Sequence, residues 1–158
     1  MATPDSLPFT KMPLNNRTPM PALGCGTLIP DHVATRNATK AALQVGFRLL
    51  DTAERYQTER EVGEAMQEVF NQGKIKREDV FVITKLWNTN HRPERVKPAF
   101  EASLKKLGLD YLDLYLIHTP FAFQPGNNPD PRDAGGKVIY DQEVSLPRYL
   151  ASTRSLGR

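Results

Sequence analysis

The chain has 158 residues, 39% of them hydrophobic and 25% charged, which is the size and composition of one soluble globular domain and not of a disordered or fibrous chain. Lys and Arg number 21 against 18 Asp and Glu, and the resulting charge of +3 is scattered along the chain. No basic stripe with interleaved aromatics is present, so a nucleic-acid partner is not expected. The opening MATPDSLPF has no basic region followed by an apolar one, and no run approaches the roughly 18 apolar residues of a membrane span. The single Cys25 excludes an internal disulfide and sits in an apolar run as a small hydrophobe. A cytoplasmic protein is expected, in which the sequons at Asn16 and Asn37 carry no meaning.

Residues 9–21 read as two short strands around a turn at Asn15 and Asn16. ALGCGT, residues 22–27, is the first buried strand, and its glycines leave room for a ligand or a neighbouring backbone. Gly24 and Gly26 begin a G-x-G, but Ile29 stands where a dinucleotide fingerprint needs its third glycine, so a Rossmann site is excluded. Asp31 is placed to cap a helix whose apolar stripe is Ala34, Ala38, Ala41, Ala42 and Val45, with Gly46 to stop it. The strand FRLLD follows. Thr58 and Glu61 form a capping-box pattern ahead of a helix carrying Val62, Ala65, Met66, Val69 and Phe70, ended by Gly73. After the strand VFVITKLW, residues 80–87, a third helix shows Val96, Phe100, Leu104 and Leu107 and closes at Gly108. Its Pro98 requires the helix to begin within about four residues of it. YLDLYLIH, residues 111–118, is the fourth strand. Residues 119–145 are rich in Pro and Gly and read as a long loop of the functional kind, with a brief apolar run at 137–140, and residues 146–158 are a polar, basic tail.

The order βαβαβαβ, with near-continuous apolar strands, predicts a parallel α/β sheet or barrel covered by helices. Three of its strands run into polar residues at their carboxyl ends, which brings Asp51, Tyr56, Lys85 and His118 to one rim. Taken singly, each has a plain structural reading: a cap, a packed ring, a snorkelling lysine, a satisfied histidine. Together they suit the protonation of a developing alkoxide. A phenol is a weak acid in water, but an ammonium about 4 Å away, at an effective dielectric of about 20, stabilises its anion by roughly 4 kcal/mol before desolvation. Asp51 would keep Lys85 charged and in place, and a neutral His118 would donate a hydrogen bond to a carbonyl oxygen. No side chain donates hydride, so a nicotinamide or flavin is implied. Trp87 and Phe121 either wall a substrate pocket or belong to the core. No metal ligand is assigned.

The segments LGCGT, LLDTAERYQTEREVG, VFVITKLW and LDYLDLYLIHTP resemble the aldo-keto reductases, in order and spacing from about Phe9 to about Val144. The wording around these motifs is most similar to fungal members acting on sugars, polyols or small carbonyls. The resemblance implies a (β/α)8 barrel of TIM type, of which this chain supplies the N-terminal half-barrel of four strands, preceded by the β-hairpin, as one partial domain. It implies NADPH, with NADH left open, and a small-molecule carbonyl substrate. It makes Tyr56 the proton donor, Lys85 the residue that acidifies it, Asp51 the support of Lys85, and His118 the residue that orients the carbonyl. Gly26, Thr27, Leu28 and Asp51 would lie by the nicotinamide end of the cofactor, and Trp87 with His118 by the substrate.

Two departures stand out. Leu28 and Thr119 occupy positions where the family often has Trp, so a less aromatic pocket is expected. A whole barrel takes about 250 residues, and from Leu146 onward the resemblance is lost, as in a truncation by altered splicing or a shifted frame. The missing half would carry the site for the adenosine 2'-phosphate and the aromatic that stacks on the nicotinamide. The alternative is therefore a catalytically impaired half-barrel that associates with itself or another chain through its open edges. A flavodoxin-type binding module is disfavoured by the absence of a phosphate loop.

Overall fold

Residues 10–144 are described by the structure, a computed structural model; Phe9 of the expected hairpin and the expected tail over 146–158 lie outside the described residues. Strand β1 (Lys11–Pro13) pairs antiparallel with β2 (Pro19–Pro21). In the turn between them, the Asn16 side chain accepts from the Thr18 backbone N–H at 3.0 Å and Arg17 takes a left-handed φ of 66°. The prolines of this ribbon are tolerated because a two-stranded sheet leaves N–H positions on its outer edges that need no partner.

The main sheet has the order β3-β4-β5-β6, every neighbouring pair parallel: β3 (Cys25–Gly26), β4 (Leu49–Asp51), β5 (Phe81–Leu86) and β6 (Leu114–Ile117). Helices α1 (His32–Gln44), α2 (Glu59–Asn71) and α3 (Pro93–Leu107) make the crossovers. This is a parallel sheet covered by helices, as the strand and helix order predicts, and a half (β/α) barrel with an N-terminal hairpin, as the resemblance implies. The outer strands are shorter than expected. Residues 111–113 fall outside β6 because the Asp113 carboxylate accepts from the Val82 N–H at 2.9 Å and from Arg77 at 2.7 Å, taking over part of the pairing.

Side-chain alternation splits the sheet into two faces. Toward the helices, Leu50, Val80 and Val82 pack with Leu43, Val62, Met66, Val69 and Leu107 in the main core. On the inner face, Leu49, Phe81 and Ile83 pack with Leu14 and Met20 of the hairpin and Leu114 of β6. Asp51 and Lys85 each lie two residues further along the strands carrying Leu49 and Ile83. They therefore continue the inner face at its carboxyl end, above the apolar layer.

The helices differ from the sequence reading in three places. The Asp31 carboxylate caps α1 by accepting from the Ala34 N–H at 2.6 Å, but the buried stripe is Thr35, Thr39, Ala42 and Leu43, while Ala34, Ala41 and Val45 face outward. The threonines can be buried because a hydroxyl can bond the backbone; that of Thr35 donates to Ile29 O and Asp31 O, both at 2.9 Å. The expected capping box of α2 does not form: Thr58 makes no side-chain cap, and Glu61 instead takes His32 Nδ1 at 2.8 Å. Helix α3 begins at Pro93, five residues before Pro98, and accommodates it with Pro98 on the exposed side, where the missing N–H leaves one carbonyl to solvent. The helix stops at Gly46, Gly73 and Gly108 do fall at positive φ, of 107°, 76° and 64°.

Gly63 marks where α2 meets the end of α3. A methyl placed on it would lie 2.5 Å from the carbonyl oxygen of Leu107, a backbone atom that cannot swing aside. Alanine would otherwise gain up to about 1 kcal/mol of helix propensity. The clash outweighs that gain, so Gly63→Ala should lower the unfolding free energy by about 1–3 kcal/mol, read as a reduced urea midpoint at unchanged slope.

Candidate active site

The chain leaves β4 at Asp51, passes through buried Thr52 and Ala53, and closes a 3-10 turn over Glu54–Tyr56 in which the Tyr56 N–H donates to Ala53 O at 3.0 Å. Gln57, at a φ of 60°, turns the chain out of this loop toward α2. A second 3-10 turn, Asn88–Asn90, follows β5. The Glu54 carboxylate joins the two turns, accepting from Asn90 Nδ2 at 3.0 Å and from the Trp87 backbone N–H at 3.4 Å. The loop that carries Tyr56 is thereby pinned to the end of the strand that carries Lys85.

Lys85 is the centre of the group. Only 13% of its side chain is exposed, and its ammonium donates to the Asp51 carboxylate, to Thr52 O at 2.9 Å and to the Tyr56 hydroxyl oxygen at 3.4 Å. A nearly buried cation must be paired and hydrogen-bonded to be tolerated, and all three partners come from one short segment. The His118 N–H extends the β5–β6 ladder by bonding Leu86 O at 3.1 Å, which sets the imidazole edge-on to Tyr56, with centroids 5.8 Å apart, and to Trp87, 5.0 Å apart. Burial pushes the His118 pKa below its ordinary value; the Lys85 ammonium and Arg55 push it the same way, and Asp51 opposes them. The ring is therefore neutral at pH 7, and its Nδ1 is buried with no hydrogen-bond partner among the described residues.

All four residues expected on the rim are together. Trp87, left open between wall and core, packs against His118 directly; Phe121 does not, stacking on Phe123 at 6.1 Å one ring further out. Of the residues expected beside a cofactor, Thr27 is buried and holds Asp51 from behind, its N–H and hydroxyl both bonding Asp51 O, at 3.0 and 3.1 Å. Nothing lies within 4 Å of where a side chain on Gly26 would begin, Leu28 is 66% exposed, and Asp51 keeps 39% of its side chain open while bound to Lys85. An open shelf ending in a carboxylate next to the ammonium–phenol pair fits the nicotinamide end of a dinucleotide. Gly24, by contrast, is filled from behind by the Leu49 side chain. A cleft of about 910 Å³ opens at the opposite ends of the strands, between Lys11, Arg48, Phe81 and Asp113, and includes none of these residues.

Glu54 and the carbonyl of Thr52 went unnoticed in the sequence. Glu54 reads there as a surface charge, and its only signal is its place between Asp51 and Tyr56.

Parallel β/α units with an aspartate, lysine, tyrosine and histidine gathered where the strands end define a barrel-type α/β protein with a cluster of titratable side chains on its rim. A sequence model described as the Aldo/keto reductase family matches residues 24–146. Human Aldo-keto reductase family 1 member C3 is 50% identical over 131 residues, 81% of this chain and 41% of that protein. Human member C4 is 47% identical over 136 residues, 84% and 42% respectively, and mouse Estradiol 17 beta-dehydrogenase 5 is 50% identical over 125 residues, 77% and 39%. The chain belongs to the aldo-keto reductase family. It spans about two-fifths of the length of these curated relatives.

The lowered pKa of His118 has a sign that can be tested, and His91, also pushed down by burial, shares it. Both imidazoles bind protons more readily in the unfolded chain. The stability they contribute is thus complete above about pH 6.5, the unfolded value, and is lost as pH falls through the lower folded values. The urea midpoint should drop between about pH 7.5 and about pH 5. His118→Gln should make that drop shallower, and proton NMR should place the His118 titration below the ordinary imidazole value of about 6.5.

Proposed function

We propose that this rim serves the reduction of an aldehyde or ketone to an alcohol by a reduced nicotinamide dinucleotide, NADPH in preference to NADH. The observation that carries the reading is the Lys85 ammonium, bound to the Asp51 carboxylate and 3.4 Å from the Tyr56 hydroxyl. Gly26, Thr27, Leu28 and Asp51 would hold the nicotinamide end of the cofactor, which supplies the hydride to the carbonyl carbon. Neutral His118 donates an N–H to the carbonyl oxygen and orients it. As negative charge grows on that oxygen, the Tyr56 hydroxyl transfers its proton there, and the phenolate left behind is stabilised by Lys85. Asp51 keeps the ammonium aimed, and solvent returns the proton to Tyr56.

The substrate side is Trp87, Leu28 and Thr119. The Thr119 hydroxyl donates within the chain, to Asn88 Oδ1 at 2.8 Å and Phe121 O at 3.2 Å, so it helps shape the wall and is not free to grip a ligand. A wall with one indole favours a small carbonyl, such as an open-chain sugar or a polyol precursor, over a bulky apolar one. The described helices include none long and apolar enough to cross a membrane, and the reading is of a cytoplasmic enzyme forming one partial barrel domain.

A second reading, a half-barrel that binds another chain, is favoured by β6, which among the described residues pairs only with β5 and leaves Leu116 39% and Ile117 48% exposed. Size-exclusion with light scattering separates it: concentration-dependent assembly supports it and a stable monomer counts against it.

The reductase reading is tested by NADPH oxidation with a panel of aldehydes and by thermal shift with the cofactor. Tyr56→Phe and Lys85→Met should each lower turnover by about 10²–10⁴-fold while leaving cofactor binding intact. Absence of both turnover and a cofactor-dependent shift in the unaltered chain would sink it.

A further inference from the structure

The long loop after β6 is folded back on itself, with Phe123 bridged antiparallel to Tyr140 and Arg132 to Val138, and with Ala122 and Phe123 buried. It is strapped to the rim. The Phe123 N–H donates to Asn88 O at 2.9 Å, the Trp87 indole N–H to Pro129 O at 2.7 Å, and Arg92 grips the Asp141 carboxylate at 2.7 and 3.2 Å. One further attachment comes from the catalytic turn itself. Arg55, the residue before Tyr56, meets the Asp130 carboxylate at 2.5 Å, and its guanidinium lies 5.5 Å from the centre of the Trp87 ring. Trp87 and Arg55 thus take hold of consecutive strap residues, Pro129 and Asp130, while in contact with each other.

We propose that Arg55 and Asp130 are positioning residues for the substrate side of the site: their pair clamps the strap onto Trp87 and so keeps the indole edge-on to His118. The proposal rests on the reading that Trp87 and His118 face the substrate. An isolated ion pair with 37% and 38% of its side chains exposed would contribute little. Here the same guanidinium also stacks on the indole, and the indole is bonded to the adjacent strap residue, so the three contacts form or break together. The charge also reaches the imidazole. The charged groups facing His118 are Lys85 of β5, Asp51 at the end of β4, and Arg55 of the turn, and Asp130 neutralises the last of these.

The test needs no turnover, so a failed clamp and a failed reductase are seen separately. Amide exchange is followed at Phe123, Gln124 and Asp141, whose N–H groups bond Asn88 O, Ile139 O and Ala122 O, with Met66 of α2 as the internal control. Arg55→Gln and Asp130→Asn should each raise exchange at the strap amides by about five-fold, leave Met66 unchanged, and red-shift the emission of Trp87, the sole tryptophan. Arg55→Lys, which keeps the ion pair, should restore most of the protection. The two variants should move the His118 titration in opposite directions, upward when the Arg55 charge is removed and downward when Asp130 no longer offsets it. Unchanged strap exchange and Trp87 emission in both variants would overturn the proposal. So would a rise that includes Met66, which would make the pair a general stability contact, or a His118 shift of the same sign in both.

Discussion

A cation buried at the end of a strand is the constraint on which the upper half of this molecule depends. The alternation that places Phe81 and Ile83 on the inner face places Lys85 there too, one step beyond the apolar layer closed by the hairpin. An ammonium in that position is tolerated only with close negative or dipolar partners. They are supplied by the carboxylate of Asp51, the carbonyl of Thr52 and the hydroxyl of Tyr56, all within six residues of one another. The need to satisfy one charge therefore ties the end of β4, the turn after it and the end of β5 into a single unit.

The opposite face of β5 shows the same economy. Thr84, the neighbour of Lys85, points toward the helices and donates to Glu59 at 2.7 Å; Glu59 is almost wholly buried and is met from the other side by Lys106 of α3 at 3.5 Å. Glu59 opens α2, where a carboxylate also complements the positive end of the helix. The buried Glu59–Thr84 bond fixes the start of α2 against β5 on one side of the sheet, and the Lys85 contacts fix the turn that precedes α2 on the other. Tyr56 sits between these two anchors.

How far this was readable in the sequence follows from the same distinction. Strand-end residues were legible because period-2 apolar runs locate strands, and parallel strands bring their carboxyl ends together; Asp51, Lys85 and His118 needed nothing more. Tyr56 was legible only through its nearness to Asp51 and through the resemblance. The face of α1 is not legible because Thr35 and Thr39 do not look apolar, although both are buried and the Thr35 hydroxyl is satisfied locally. Local spacing suggests a cap at Glu61, whereas the structure gives it to His32 of a different helix. Arg55 with Asp130 and Arg92 with Asp141 were invisible, since pairs separated by 75 and 49 positions leave no periodic trace.

The arrangement also separates the duties of two proton-bearing groups that stand side by side. The Lys85 ammonium stands 3.4 Å from the oxygen of Tyr56 and disfavours a cation on the ring of His118, whose pKa is lowered first by burial and then by that same ammonium. Had His118 been protonated, it would compete with Tyr56 as the acid and repel the cation that holds the tyrosine. Kept neutral, the ring offers one N–H donor and one acceptor nitrogen and sets no second cation beside Lys85, so in the proposed reaction Tyr56 is the acid. Two groups 5.8 Å apart are thus set apart by the burial of the imidazole, the largest cause of its lowered pKa, together with the placement of the Lys85 nitrogen.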